Sequence, residues 1–206
     1  MKLDPQTQNQ HAYDQIVSTY AARNAKMQPY VLHAAERIIQ AIHMQSDLPA
    51  FYLDLGCGAG RDMAWFDAQD LCLMGADLSL GMLREAKKVV TGDLFQLDMR
   101  YLPYVNASLG MIWCQAALLH LPKTQTPQAL HEMNRVLASQ GWLHVAVQKG
   151  ETEGFETRPY EPTQRYYAHY QIEEISGLLE TSGFKIKYLN EAQSRRPWIS
   201  IEAQKR

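Results

Sequence analysis

Apolar residues recur every three to four positions near the start of the chain, first as Tyr13, Ile16, Val17 and Tyr20, then as Val31, Ala35, Ile38, Ile39 and Ile42. That period marks helices with one buried face, so two helices are expected before the first strand. The pattern then shortens. Ala50 to Leu55 is an apolar run that stops at a glycine cluster, which predicts a buried strand feeding a tight turn, with a helix beginning near Arg61. Leu71 to Ala76 reads as a second buried strand. Leu80 to Val90, carrying Leu83, Ala86 and Val90, reads as an amphipathic helix. A short strand near Leu94 to Leu97, a longer one from Leu109 to Cys114, a helix from Pro127 to Leu137 and a strand from Gly141 to Val147 continue the alternation. Gln140-Gly141 is the expected stop of that helix.

Strands separated by helices favour a parallel sheet, because parallel neighbours need a crossover long enough to hold a helix. The last two strands, around Phe184, Ile186 and Tyr188 and from Trp198 to Ala203, follow one another without a helix and must pair antiparallel. The expected fold is therefore α/β and doubly wound: a mostly parallel seven-stranded sheet with an antiparallel last strand, covered by the N-terminal helices. A single domain over 1–206 is expected, with cover helices in 1–46, a core in 50–149 and a helix and hairpin strands in 171–206. Between Lys149 and Tyr170 the regular pattern dissolves into Gly150, Gly154, Pro159 and Pro162 among four tyrosines, Tyr160, Tyr166, Tyr167 and Tyr170. Irregular stretches of this length are often functional, so 150–170 is a candidate substrate lid.

Composition changes the picture mainly by exclusion. With 46% hydrophobic residues in 206, there is enough apolar material for one full core. A net charge of -2 offers no broad positive field for a phosphate backbone, so nucleic acid is not favoured as a partner despite Arg195, Arg196, Lys205 and Arg206 near the C-terminus. No apolar stretch of about 18 residues is present to cross a bilayer, and Met1 to Gln8 is too polar for a secretory signal. Three widely spaced cysteines, Cys57, Cys72 and Cys114, form no metal-ligand pairs and suit a reducing compartment. A cytoplasmic protein without a metal is expected.

The chemistry concentrates at Leu53-Asp54-Leu55-Gly56-Cys57-Gly58-Ala59-Gly60-Arg61, where a strand turns into a helix at the edge of the sheet that binds ligands in such folds. The dinucleotide fingerprint G-x-G-x-x-G/A would need glycine or alanine at the position of Arg61, so NAD is disfavoured; the turn is G-x-G-x-G. Asp77 ends the second strand, 77 − 56 = 21 positions beyond Gly56, the spacing at which a carboxylate reaches ribose hydroxyls.

This turn, with Gly75-Ala76-Asp77-Leu78-Ser79 and Leu97-Asp98-Met99 following in order, resembles the class I S-adenosylmethionine-dependent methyltransferases over about residues 50 to 150. The resemblance implies their Rossmann-like fold, S-adenosylmethionine as cofactor and methyl transfer to an acceptor. It implies that Asp54 and Gly56 hold the methionine end, Asp77 the ribose and Asp98 the adenine amino group, with Leu78 and Met99 against the adenine. Cys57, Gly58 and Gly60 belong to the same turn. The resemblance further implies that Arg61 reaches for the cofactor's carboxylate, that Cys114 lends its backbone, and that Tyr20, with Tyr13, covers the cofactor, with helix packing as the alternative for the two tyrosines. Asp54, Asp77 and Asp98 each retain a structural alternative, as partners of buried amides or turn caps. His120 lies just past the fourth strand and is a candidate general base. Arg165 and Tyr166 are candidates for the acceptor pocket. The acceptor is expected to be a small molecule, with a regulatory cofactor-binding module and methylation of RNA or protein as the alternatives.

Overall fold

The computed structural model describes residues 4–158, 162–193 and 196–206. Pro159, Tyr160, Arg195 and Met1 to Leu3, all named above, lie outside them. The described elements run α1 (Pro5–Arg23), α2 (Pro29–His43), β1 (Tyr52–Leu55), α3 (Arg61–Asp67), β2 (Met74–Asp77), α4 (Leu80–Ala86), β3 (Leu94–Gln96) and β4 (Leu109–Gln115). Then follow α5 (Thr126–Val136), β5 (Leu137–Gln148), β6 (Glu153–Glu156), β7 (Arg165–Ala168), α6 (Ile172–Thr181), β8 (Phe184–Ala192) and β9 (Trp198–Lys205).

Seven strands form one sheet in the order β3-β2-β1-β4-β5-β9-β8. The five on the β3 side pair in parallel, and β9 runs antiparallel to both β5 and β8. This is the doubly wound architecture with an antiparallel last strand. Alternate residues of β4 divide the core. Ile112 and Cys114 pack with Leu130 and Met133 of α5 and Leu179 of α6. Met111 and Trp113 face Ile38 of α2 and Phe66 of α3 on the other side. Burying both faces makes these strands near-continuous apolar runs, which is why periodicity marked them so plainly.

Two expectations are corrected. The helix before β5 stops at Leu137, which is already extended at φ -68 and ψ 139, and Gln140-Gly141 lies inside β5. Gln140 adopts a left-handed φ of 62 there, beside a break in the β4 to β5 register. A glycine after a helical period reads as a helix stop, but here it permits close approach: an added Cβ on Gly141 would lie 2.9 Å from the Ala138 carbonyl oxygen. The segment after Lys149 is also more regular than expected. β6 and β7 pair as an antiparallel two-stranded sheet, and Lys149 bridges Tyr170. Tyr166, Tyr167 and Tyr170 are buried. Among the described residues, no helix is long and apolar enough to cross a membrane.

Candidate active site

The carboxyl ends of β1, β4 and β5 open onto a cavity of about 790 Å3, walled on one side by Tyr13, Ile16 and Tyr20 of α1. After β1 the chain turns through Gly56 at φ 84 and Gly58 at φ 54. A Cβ on Gly56 would fall 2.2 Å from that of Ala117, whereas one on Gly58 would meet only Tyr20, at 4.0 Å. Gly56 therefore lets the turn pack on the β4 side, and Gly58 bares backbone toward the cavity. Asp54 lines the cavity at 2% exposure, and its Oδ2 has no hydrogen-bond partner among the described residues. Burial, then the nearby Asp62 charge, pushes its carboxyl well above the usual range, with Arg61 opposing. Arg61 also lines the cavity and is pinned by Asp62, whose other oxygen accepts from the Trp113 indole at 3.0 Å.

Asp77 holds this turn in place. Its Oδ2 accepts from the Gly58 amide at 2.9 Å and its Oδ1 from the Ser79 amide at 2.8 Å. Burial raises its pKa while those amides work the other way. The wall opposite the glycine turn comes from β7 and the segment after β4. His120 Nδ1 lies 2.8 Å from the Tyr166 carbonyl oxygen, so Nδ1 carries the proton, and Nε2 accepts from the Tyr13 hydroxyl at 2.7 Å. Burial, reinforced by the Arg165 charge, pushes His120 down to about 3 and keeps the imidazole neutral. Arg165 lies over the Tyr13 ring at 4.6 Å.

Known proteins fit this geometry. A family model described as a methyltransferase domain matches residues 53–141. Methyltransferase GfsG of Streptomyces halstedii is 29% identical over 182 residues, an alignment covering 80% of this chain and 64% of GfsG, so the chain spans less than two thirds of that relative. The Encephalitozoon cuniculi protein named "Putative methyltransferase ECU09_1500" is 30% identical over 151 residues, covering 65% of this chain and 70% of its own. The chain belongs to the class I S-adenosylmethionine-dependent methyltransferases. Magnesium protoporphyrin IX methyltransferase from Synechocystis PCC 6803, solved with bound S-adenosylmethionine, shares the fold at a TM-score of 0.73 and 15% identity, over 100% of this chain and 99% of that one. The residues around the glycine turn fit S-adenosylmethionine: the unpartnered Asp54 oxygen would suit a cationic amino group, and the bare Gly58 edge would admit a ligand closely.

The chain gathers Tyr20, Asp54, Gly56, Cys57, Gly58, Arg61, His120 and Arg165 around one cavity. The others stand apart from it. Gly60 caps α3 in the left-handed region, and Asp77 acts from behind Gly58. Leu78 and Met99 lie half-buried outside the cavity lining. The Asp98 carboxylate, expected at the adenine, is held by the Arg100 guanidinium and backbone amide. Cys114 turns its thiol into the apolar core, and burial pushes it up to about 12. Tyr166 is a correction. Side chains alternate along β7, so Arg165 and Tyr167 face the cavity while the Tyr166 hydroxyl points the other way and donates to Glu153 at 2.7 Å. Sequence reasoning missed Arg158, Gln148 and Trp198 in the wall. Gln148 carried a faint signal as a polar residue ending a buried strand; Arg158 carried none.

Proposed function

We propose that the protein transfers a methyl group from S-adenosylmethionine to a small molecule bound between the glycine turn and β7. The observation that carries this reading is the unpartnered Asp54 oxygen beside the glycine turn, in a cavity of about 790 Å3, within the span of drug-sized ligand sites. When bound, the sulfonium supplies an activated methyl group, and the protein's task is alignment. Asp54 and Arg61 would hold the ammonium and carboxylate of the methionine end. Asp77 would fix the Gly58 backbone and meet the ribose, and Tyr20 would cover the cofactor. Leu78, Asp98 and Met99 would form the adenine end once Arg100 yields the Asp98 carboxylate.

His120 serves here as a positioning residue. Its Nδ1 is held by the Tyr166 carbonyl and its Nε2 by the Tyr13 hydroxyl, and burial with the Arg165 charge keeps the ring neutral, so it orients that hydroxyl toward the cavity rather than taking a proton itself. Calorimetry with S-adenosylmethionine, adenosylhomocysteine and NAD tests the cofactor site: heat is expected for the first two and none for NAD. A screen of small-molecule acceptors, read by adenosylhomocysteine release, tests the transfer. Turnover confined to RNA or protein acceptors would overturn the small-molecule reading.

A further inference from the structure

Charge is spread unevenly around the cavity. The acids lining it, Asp54, Asp62 and Glu85, come from β1, α3 and α4 and share that side with Arg23, Lys26 and Arg61, whereas among the described residues no carboxylate from β5 through β9 lines it. The β5 to β9 side instead presents Arg158, Arg165 and Arg196. The Arg158 guanidinium lies 3.4 Å over the Tyr167 ring, and Arg165 lies 5.3 Å over the same ring. Gln148 at the end of β5 accepts from Arg158 Nη2 at 2.9 Å and so orients it. Glu156 stands 3.5 Å from both Arg158 and Arg196 and 3.2 Å from His169, one carboxylate shared among three bases. The Arg158 Nε is buried with no hydrogen-bond partner among the described residues. Arg165 is only 3% exposed. A guanidinium fork matches carboxylate and phosphate geometry.

We propose that Arg158 and Arg165 form an anion-binding wall for the methyl acceptor, which carries a carboxylate or phosphate group at a position other than the methylated atom. The inference rests on the reading of this cavity as an acceptor site. The Tyr30 and Trp198 rings, stacked at 6.3 Å in the same wall, suit a planar apolar body between anion and methyl. Held at its anionic end by β7, such an acceptor would present its far end toward the glycine turn, the side on which the cofactor would be held.

The test titrates the protein saturated with adenosylhomocysteine against three matched probes: phenylacetate, phenyl phosphate and neutral phenylacetamide. At least one anion should bind tenfold or more tightly than the amide, with the two anions separating a carboxylate from a phosphate source. The preference should weaken as salt rises. Arg158→Gln should remove most of it and Arg158→Lys retain part, while thermal melting reports that each variant is folded. Equal binding of all three probes, no binding of any, or an anion preference untouched in both Arg158→Gln and Arg165→Gln would overturn the proposal. Adenosylhomocysteine affinity is measured first; its absence defeats the cofactor reading, whereas its presence with no anion preference defeats the anion wall alone.

Discussion

A carboxylate at 2% exposure with one oxygen lacking a partner destabilises the empty fold, since transfer from water is repaid neither by a cation nor by a donor at that atom. Asp54→Asn should therefore raise the melting temperature of the ligand-free protein by about 2–8 °C, the shift that roughly 1–2 kcal/mol produces in a chain of this size. It should also weaken S-adenosylmethionine about 10- to 100-fold, the scale of a lost hydrogen bond to a charged group. Scanning calorimetry and titration on one preparation check both, and a variant that gains no stability or keeps its affinity contradicts the account. Asp77→Ala should behave differently, losing about 1.5–3 kcal/mol of cofactor binding together with some stability, because that side chain also secures the Gly58 and Ser79 amides. Both aspartates were legible in the sequence, since a glycine turn after a buried run and a carboxylate at ribose spacing are local patterns. The pairing of His120 with Tyr13 was not, because 107 positions separate them. Arg158 was illegible for the same reason: its meaning comes from Gln148, Tyr167 and Arg196, gathered by the fold.

At the scale of elements, α1 is held over the cavity more by polar bonds than by an apolar seam. It buries only Asn9, Ala12 and Ile16. Asn9 acts as a short strand edge, accepting from the Tyr166 amide at 2.6 Å and donating to the Tyr166 carbonyl at 3.1 Å. Asp14 takes the Gly81 amide at 2.8 Å and the Ser79 hydroxyl. Asn9→Ala should thus speed hydrogen exchange in α1 and β7 while leaving β4 and β5 protected, and should raise the KM for S-adenosylmethionine several-fold. Uniform loss of protection would show that α1 is instead integral to the core. The spacing of Tyr13, Ile16 and Tyr20 predicted this helix correctly, yet these residues wall the cavity more than they fill the core. The β6 to β7 pair escaped prediction because each strand spans four residues, too few to establish a period of two among glycines and prolines.

Across the whole molecule, two neutral buried histidines set the acid limit. Burial pushes both His120 and His144 from 6.5 down to about 3. Between those values the unfolded chain binds protons that the native protein does not, so stability falls as pH drops through that window, by up to about 1.4 kcal/mol per pH unit for each histidine. Asp54 and Asp77, whose values are raised, act with the opposite sign and soften the fall. His144 Nε2 donates to Gln115 Oε1 at 2.9 Å, and the ring stacks on Trp113. His144→Gln should flatten the acid limb of a melting-temperature curve between pH 6.5 and 3; an unchanged limb would assign the fall elsewhere. The succession of seven sheet strands along the chain and the antiparallel pairing of the last two were readable because apolar runs and crossovers follow general rules, whereas the placement of charge around the cavity emerged only from folding. One feature of that cavity also has an optical consequence. Of the four tryptophans, Trp198 lies in the cavity wall against Tyr30, while Trp113 is sealed beneath the sheet face. Indole emission responds to the polarity and quenching groups around it, so the fluorescence of Trp198 turns the protein into its own reporter of acceptor occupancy, with Trp198→Phe as the dark control.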